Sequence, residues 1–264
     1  MTTVKDILKF IETLAPPYMA ESWDNVGLLC GRKEKEVHKI LVALDPFRNV
    51  IEAAIKEKAD LIVTHHPLIF RDAPMAVNED SETGRCLLTL IENGIAAINA
   101  HTNLDLAPGG VNDVLAQTLG LSDISIIRPE GTDETGTPYG LLRMGPVPEQ
   151  PLHQFLATVK ETLACDGLRY VSPAPQVRRV AVGGGSCADG MHEAKAAGCD
   201  TFVTSDCKYN QFRTAHEIGI NLIDAGHFHT ENPVIPVLAQ KIASAFPDVE
   251  VKICESHWDC MKYY

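Results

Sequence analysis

Short apolar runs alternate along this chain with stretches whose apolar residues recur at helical spacing. MTTVKDILKF places Val4, Ile7, Leu8 and Ile11 on one face, which predicts an amphipathic helix. Ile40 to Leu44 reads as a strand stopped at Asp45-Pro46. Val50 to Lys58 has helical spacing, and Leu61-Ile62-Val63 is a buried strand. Gly84 to Asn93 is then a helix ended by Gly94, and Ile95 to Ile98 a further strand. Continuous apolar strands separated by helices predict an α/β sheet covered on both faces.

The middle of the chain reads differently. GTDETGTP, Gly131 to Pro138, is rich in turn formers and lacks periodicity, so an exposed loop is expected there. A strand over Gly140 to Arg143, a helix carrying Leu152, Phe155, Leu156, Val159 and Leu163, and a strand near Leu168 to Val171 should follow. No stretch is biased enough to be a flexible linker.

The pattern repeats itself. KADLIVTHHPLIF is echoed by GCDTFVTSDCKYNQF: Asp60 aligns with Asp200, Val63 with Val203, Thr64 with Thr204 and His66 with Asp206, each pair 140 residues apart. NGIAAINAHTNLD resembles IGINLIDAGHFHTE, with Gly94 on Gly219 and Ala100 on Ala225 at a spacing of 125, and KILVALDP matches RRVAVGGG upstream. Any two βαβ units share apolar strands and glycine stops. Constant spacing across several polar matches favours a duplicated α/β unit.

Three polar clusters end strands of this pattern, where open α/β sheets bind ligands. His65-His66-Pro67 follows the strand at Leu61. Adjacent residues on a strand point to opposite sides, so the two imidazoles would serve two ions, or one would ligate while the other orients. His101-Thr102-Asn103-Leu104-Asp105 sets an imidazole and a carboxylate on one turn or loop, and by itself reads as a cap or Asx turn. In Gly226-His227-Phe228-His229-Thr230-Glu231, His227 and Glu231 are four apart, so one helical turn aims both the same way. Imidazoles and carboxylates without thiolates suit Zn, Mn, Fe or Co, and a bridging carboxylate would hold two ions about 3.5–4 Å apart.

Other chemistry fits poorly. There is no G-x-S-x-G elbow and no Walker loop, and Gly183 to Cys187 (GGGSC) reads as a glycine turn whose amides could meet an anion. The 8 cysteines form no CxxC pair, so Cys187, Cys199 and Cys207 are expected to be buried hydrophobes. A hydrophobic share of 45% describes an ordinary globular chain, and a net charge of −12 opposes a nucleic-acid partner. No apolar run is long enough for a membrane span and the first residues do not resemble a signal peptide, so a cytoplasmic location is expected.

As a set, Ala15 to Gly31 (APPYMAESWDNVGLLCG), THHPLIF, AHTNLD with GGVNDVLA, GGGS and DAGHFHTE closely resemble the NIF3-like family, also called GTP cyclohydrolase 1 type 2 homologues. The resemblance spans nearly the whole chain. It implies a NIF3-like α/β fold of two duplicated repeats with a dinuclear metal site between them. Repeat one would cover about residues 1–128, a connecting β-α-β segment about 129–176 and repeat two about 177–264. Carried over by motif, the ligands of two divalent ions fall on His65, His66, Asp105, His227 and Glu231, leaving His101 as a proton carrier or an outer partner of the ligands. It also implies a homo-oligomer, a ring-shaped hexamer. The sequence departs at Ser205-Asp206, where many relatives read Gly-Asp or Gly-Glu, and residues 131–175 are too few for the domain some members insert.

The resemblance implies a metal-dependent hydrolase of a nucleotide-like or phosphate-bearing small molecule, with GTP as the named substrate. Arg71, Lys208 and Arg213 could receive phosphates, although surface cations are usually only solvated. The competing reading is a non-catalytic metal-binding scaffold or regulatory interaction protein.

Overall fold

Thr3 accepts the Asp6 N–H while the Asp6 carboxylate takes the Thr3 N–H, a reciprocal cap that starts helix α1 (Val4–Leu14). Its buried residues are Val4, Ile7, Leu8 and Ile11, the face the spacing predicts. The chain continues through β1 (Gly27–Cys30), β2 (Lys39–Ala43), α2 (Arg48–Glu57), β3 (Leu61–Thr64), α3 (Glu82–Glu92), β4 (Ala96–Asn99) and α4 (Thr102–Leu106). Next come α5 (Val111–Thr118), β5 (Ser125–Ile126), β6 (Pro129–Thr132), β7 (Pro138–Gly140), β8 (Arg143–Pro151), α6 (Leu152–Thr162), β9 (Arg169–Val171) and β10 (Gln176–Val182). The last elements are α7 (Met191–Ala196), β11 (Thr201–Thr204), α8 (Tyr209–Ile218), β12 (Asn221–Asp224), α9 (His227–Glu231), α10 (Val234–Ala245) and β13 (Glu250–Ile253). The computed structural model describes residues 1–70 and 76–264, in two units: 1–104 with 235–258, and 105–234 with 259–264.

In the first unit the sheet order is β1-β4-β3-β2-β13. Strands β2, β3 and β4 run parallel, β13 adds a fourth parallel strand beside β2, and β1 closes the other edge antiparallel to β4. One face packs Leu41, Ala43, Ile62 and Ala97 against Val50, Ile51 and Ala54 of α2 and Leu87 and Leu90 of α3. The alternate residues Ile40, Val42, Leu61 and Val63 are also fully buried, so both faces are covered.

In the second unit the order is β5-β8-β10-β11-β12-β9, with β10, β11 and β12 parallel. Val180, Val203 and Ile223 pack with Leu115 of α5 and with Phe155 and Val159 of α6. Ala181, Phe202 and Leu222 pack on the other face with Met191 of α7 and Ala215 of α8.

The duplication is carried in hydrogen bonds as well as strand order. The Asp60 carboxylate accepts the N–H groups of His38 and Lys39, and the Asp200 carboxylate accepts those of Arg178 and Arg179. Ala96 donates to Asp60 O as Asn221 donates to Asp200 O, and Ala100 to Thr64 O as Ala225 to Thr204 O. Lys58 ends α2 at φ 56, where Gly198 sits at φ 83 in the second copy. The first copy therefore pays a left-handed strain that glycine avoids.

Three expectations change. The chain does not divide into consecutive repeats, because α10 from Ile235 and β13 return to the first unit, where β2 offers a parallel edge. The expected loop over 131–138 is the tip of a β6-β7 hairpin, turned by the Asp133 carboxylate accepting the N–H groups of Thr135 and Thr137. The strand expected at 140–143 is instead the junction between β7 and β8. Pro146, Pro148 and Pro151 disguise β8, yet they lie beyond the two residues it pairs with β5, along an open edge where proline is tolerated.

Candidate metal centre

In the first unit β3 ends at Thr64, and His65 and His66 follow in a bend rather than in the strand. The alternation expected of them therefore lapses. Their ring centroids are 4.9 Å apart, and His101, just before α4, stands 5.3 and 5.5 Å from them. One ligand atom from each of the three lies within 4.8 Å of the others. His101 thus stands beside both members of the pair.

Each ring is oriented through Nδ1. His65 Nδ1 donates to Ala100 O at 2.9 Å, His66 Nδ1 to Asp45 Oδ1 at 2.7 Å and His101 Nδ1 to Asp24 Oδ1 at 2.9 Å. Carbonyls and ionised carboxylates only accept, so Nδ1 carries the hydrogen and a neutral ring presents its lone pair at Nε2. This is the arrangement of metal-binding histidines, whose outer acceptors fix tautomer and direction.

Those acceptors are themselves held as anions. Burial works to raise Asp24, but hydrogen bonds from His101 and Thr102 outweigh it and bring the carboxyl down to about 2. Burial likewise opposes Asp45, which hydrogen bonds from His257 and His66 hold well below the usual carboxylate range. Neither acceptor stands out in sequence. Asp45 reads as a strand breaker, Asp24 as one polar residue of SWDNVG, and His257 reaches Asp45 from the far end of the chain.

In the second unit Asp105 lies on α4 and is nearly buried, with one carboxylate oxygen within 4.8 Å of one from Glu231. His227 and Glu231 share the single turn of α9, as their spacing predicts, with Nε2 and Oε2 3.1 Å apart. His227 Nδ1 meets Asp206 Oδ2 at 2.6 Å. Burial pulls the His227 imidazole down, but Asp206 and Glu231 overcome it and hold the ring far above its ordinary range. A cation between carboxylates is what this field stabilises, and a divalent ion can take the proton's place.

The glycine turn serves this donor set rather than an anion. Gly184 N–H donates to Asn112 Oδ1 and Gly185 N–H to Thr230 Oγ1, so these amides are spent internally. A Cβ at Gly185, where φ is +63°, would stand 2.2 Å from Glu231 Oε1 and 3.2 Å from His227 Nε2. Backbone without a side chain is needed to pass beneath the two donors. Asn112 also donates to Asp105 O, joining the turn to α4.

The remaining candidates do not gather here. Lys208 is exposed, Arg213 pairs at 3.5 Å with Glu217 on its own helix, and Arg71 lies outside the described residues. Cys199 and Cys207 are buried, and burial pushes their thiols up to about 11 and about 12. Burial raises Cys187 further, so none of these three is poised as a thiolate. The donors are nitrogen and oxygen, fitting a borderline divalent ion such as Zn, Mn, Fe or Co.

The Duf34/NIF3 (NGG1p interacting factor 3) family profile matches residues 2–259. A Clostridium perfringens protein called GTP cyclohydrolase 1 type 2 homolog is 35% identical over 262 residues, covering 98% of this chain and 99% of its own. A Streptomyces coelicolor protein of the same name is 37% identical over 241 residues, covering 88% and 83%. The crystal structure of a Bacillus cereus protein related to NIF3 superposes with a TM-score of 0.91 at 25% identity, covering 100% of both chains. No helix among the described residues is long and apolar enough to cross a membrane.

Proposed function

Because this chain belongs to the Duf34/NIF3 family, we propose that His65, His66, Asp105, His227 and Glu231 hold two divalent metal ions in a hydrolase of nucleotide-like or phosphate-bearing small molecules. The observation that carries the reading is the anchoring of the candidate imidazoles at Nδ1, which turns Nε2 toward the neighbouring donors and suits it to a metal. Such ions supply Lewis-acid polarisation and an acidified water at neutral pH. The chain's own residues do the rest. Asp45 and Asp206 keep His66 and His227 in one tautomer and direction, and Gly185 leaves room for Glu231 beside His227. His101, braced by Asp24, stands beside His65 and His66 and can carry a proton to or from the reacting group at its Nε2.

The name shared by its relatives supports GTP as the substrate, with water adding at the imidazole carbon of the purine to open the ring. The family's description as an interacting factor supports a second reading, a metal-binding scaffold without turnover. We propose further that the protein works in the cytoplasm as a ring-shaped homohexamer, which light scattering on the purified chain checks.

Elemental analysis of the purified protein, followed by a screen of the metal-loaded form against GTP, other nucleotides and phosphate esters, tests the function. Two ions per chain and turnover lost in His66→Ala are expected. Bound metal with every substrate intact would transfer the case to the scaffold, and a chain that takes up no metal would end both.

A further inference from the structure

Two large aromatic side chains stand in solvent beside the histidine cluster of the first unit. Trp23 is 41% exposed and Phe70 51%. Their rings meet edge to face at 5.8 Å, and each reaches His101, Trp23 at 6.1 Å and Phe70 at 6.0 Å. Most large apolar side chains around these strands are buried, as Leu61, Ile62, Val63 and Ile98 are. Elements on both sides bring the two rings there: Trp23 precedes Asp24, which fixes His101, and Phe70 follows the bend that carries His65 and His66.

We propose that Trp23 and Phe70 form a stacking platform for the planar heteroaromatic ring of the ligand. The inference deepens the metal-hydrolase reading by naming the part of the substrate that the protein grips. A molecule seated against the His101 ring lies beside both Trp23 and Phe70. Each ring meets His101 edge to face and keeps part of its surface exposed, so a flat ring can lie against it. A heteroaromatic ring also gains from the aromatic quadrupoles, which an aliphatic chain or a sugar lacks. Stacking of this kind tolerates any base, because every base has a π-face.

The test uses the full-length, metal-loaded protein. The chain has two tryptophans, so Trp258→Phe leaves Trp23 as the sole indole reporter. Titration with guanosine should quench Trp23 emission saturably, while ribose 5-phosphate at equal concentration should not. Phe70→Ala in that background, and Trp23→Ala followed by equilibrium dialysis, should each weaken guanosine by about 5- to 100-fold, with Trp23→Phe restoring most of the loss. Metal content should remain unchanged in all of them. Quenching of Trp23 by ribose 5-phosphate as strong as by guanosine, or guanosine affinity untouched when Trp23 and Phe70 are both replaced by alanine, would overturn the platform. So would metal lost along with guanosine, which would make the rings supports for His101. Guanosine binding by a protein that takes up no metal would leave the platform standing and remove the hydrolase reading, so the two fail separately.

Discussion

The two copies of the α/β unit use the same strand-end positions for opposite chemical parts. In the first, Asp45 ends the leading strand and holds the ring of His66, which follows the next strand. Their counterparts 140 residues on are Gly185 and Asp206. In the second copy the carboxylate has moved to the following strand, where Asp206 holds His227, and the leading position has become a glycine that Glu231 overlies. The backbone frame is shared down to the Asp60 and Asp200 hydrogen bonds, while the supporting carboxylate has moved from the leading to the following strand end. Duplication conserves the bonds that make a strand end a site and leaves its side chains open to reassignment.

That comparison can be broken first at Gly185. Gly185→Ala should cost about 2–4 kcal/mol, from overpacking against Glu231 and a left-handed φ, and should remove metal from the second copy's donors. Thermal unfolding with metal analysis measures both, and a variant of native stability would mean that the turn has room to spare.

Next come the proposed ligands. Asp105→Ala and Glu231→Ala should each lower the metal bound per chain while the fold survives, because the second unit's core is the apolar set around Phe155 and Phe202. Unchanged stoichiometry by elemental analysis would remove those residues from the ligand set.

The comparison is sharpened by the supporting carboxylates. Asp45→Asn and Asp206→Asn should each weaken metal binding about 10- to 100-fold, by comparable factors, in competition titrations with a chelator. A loss confined to one of them would show that the two copies are not mirrored in function.

The smallest effects belong to the shared frame. Asp60→Ala and Asp200→Ala should each cost about 1 kcal/mol, since each strips the acceptor from two backbone N–H groups near the surface. Burial works to raise Asp60, but the His38 N–H and Lys35 hold it below its ordinary 3.8. Its contribution is therefore present above that value and lost as pH falls through the lower folded value. Asp60→Ala should flatten this acid limb in denaturant titrations run at stepped pH.

Much of the architecture was legible because it depends on local periodicity. The α1 face follows the 3.6-residue period of a half-buried helix, the parallel strands show as continuous apolar runs buried on both faces, and the repeat shows in matched residues at spacings of 140 and 125. The hairpin over 131–138 and strand β8 escaped because turn formers and prolines mask extended backbone that pairs along an edge. The His227–Glu231 turn was readable, since one helical turn fixes both directions.

What sequence determined by itself is therefore the repeat, its strands and the donor types at their ends. Tertiary structure alone decided that His65 and His66 turn to the same side, that Asp24, Asp45 and Asp206 steer the rings, and that β13 returns to the first sheet. The physical reason is separation along the chain. A hydrogen bond between residues 77 apart, such as His101 to Asp24, leaves no trace in local spacing, because only folding brings its two ends within 2.9 Å.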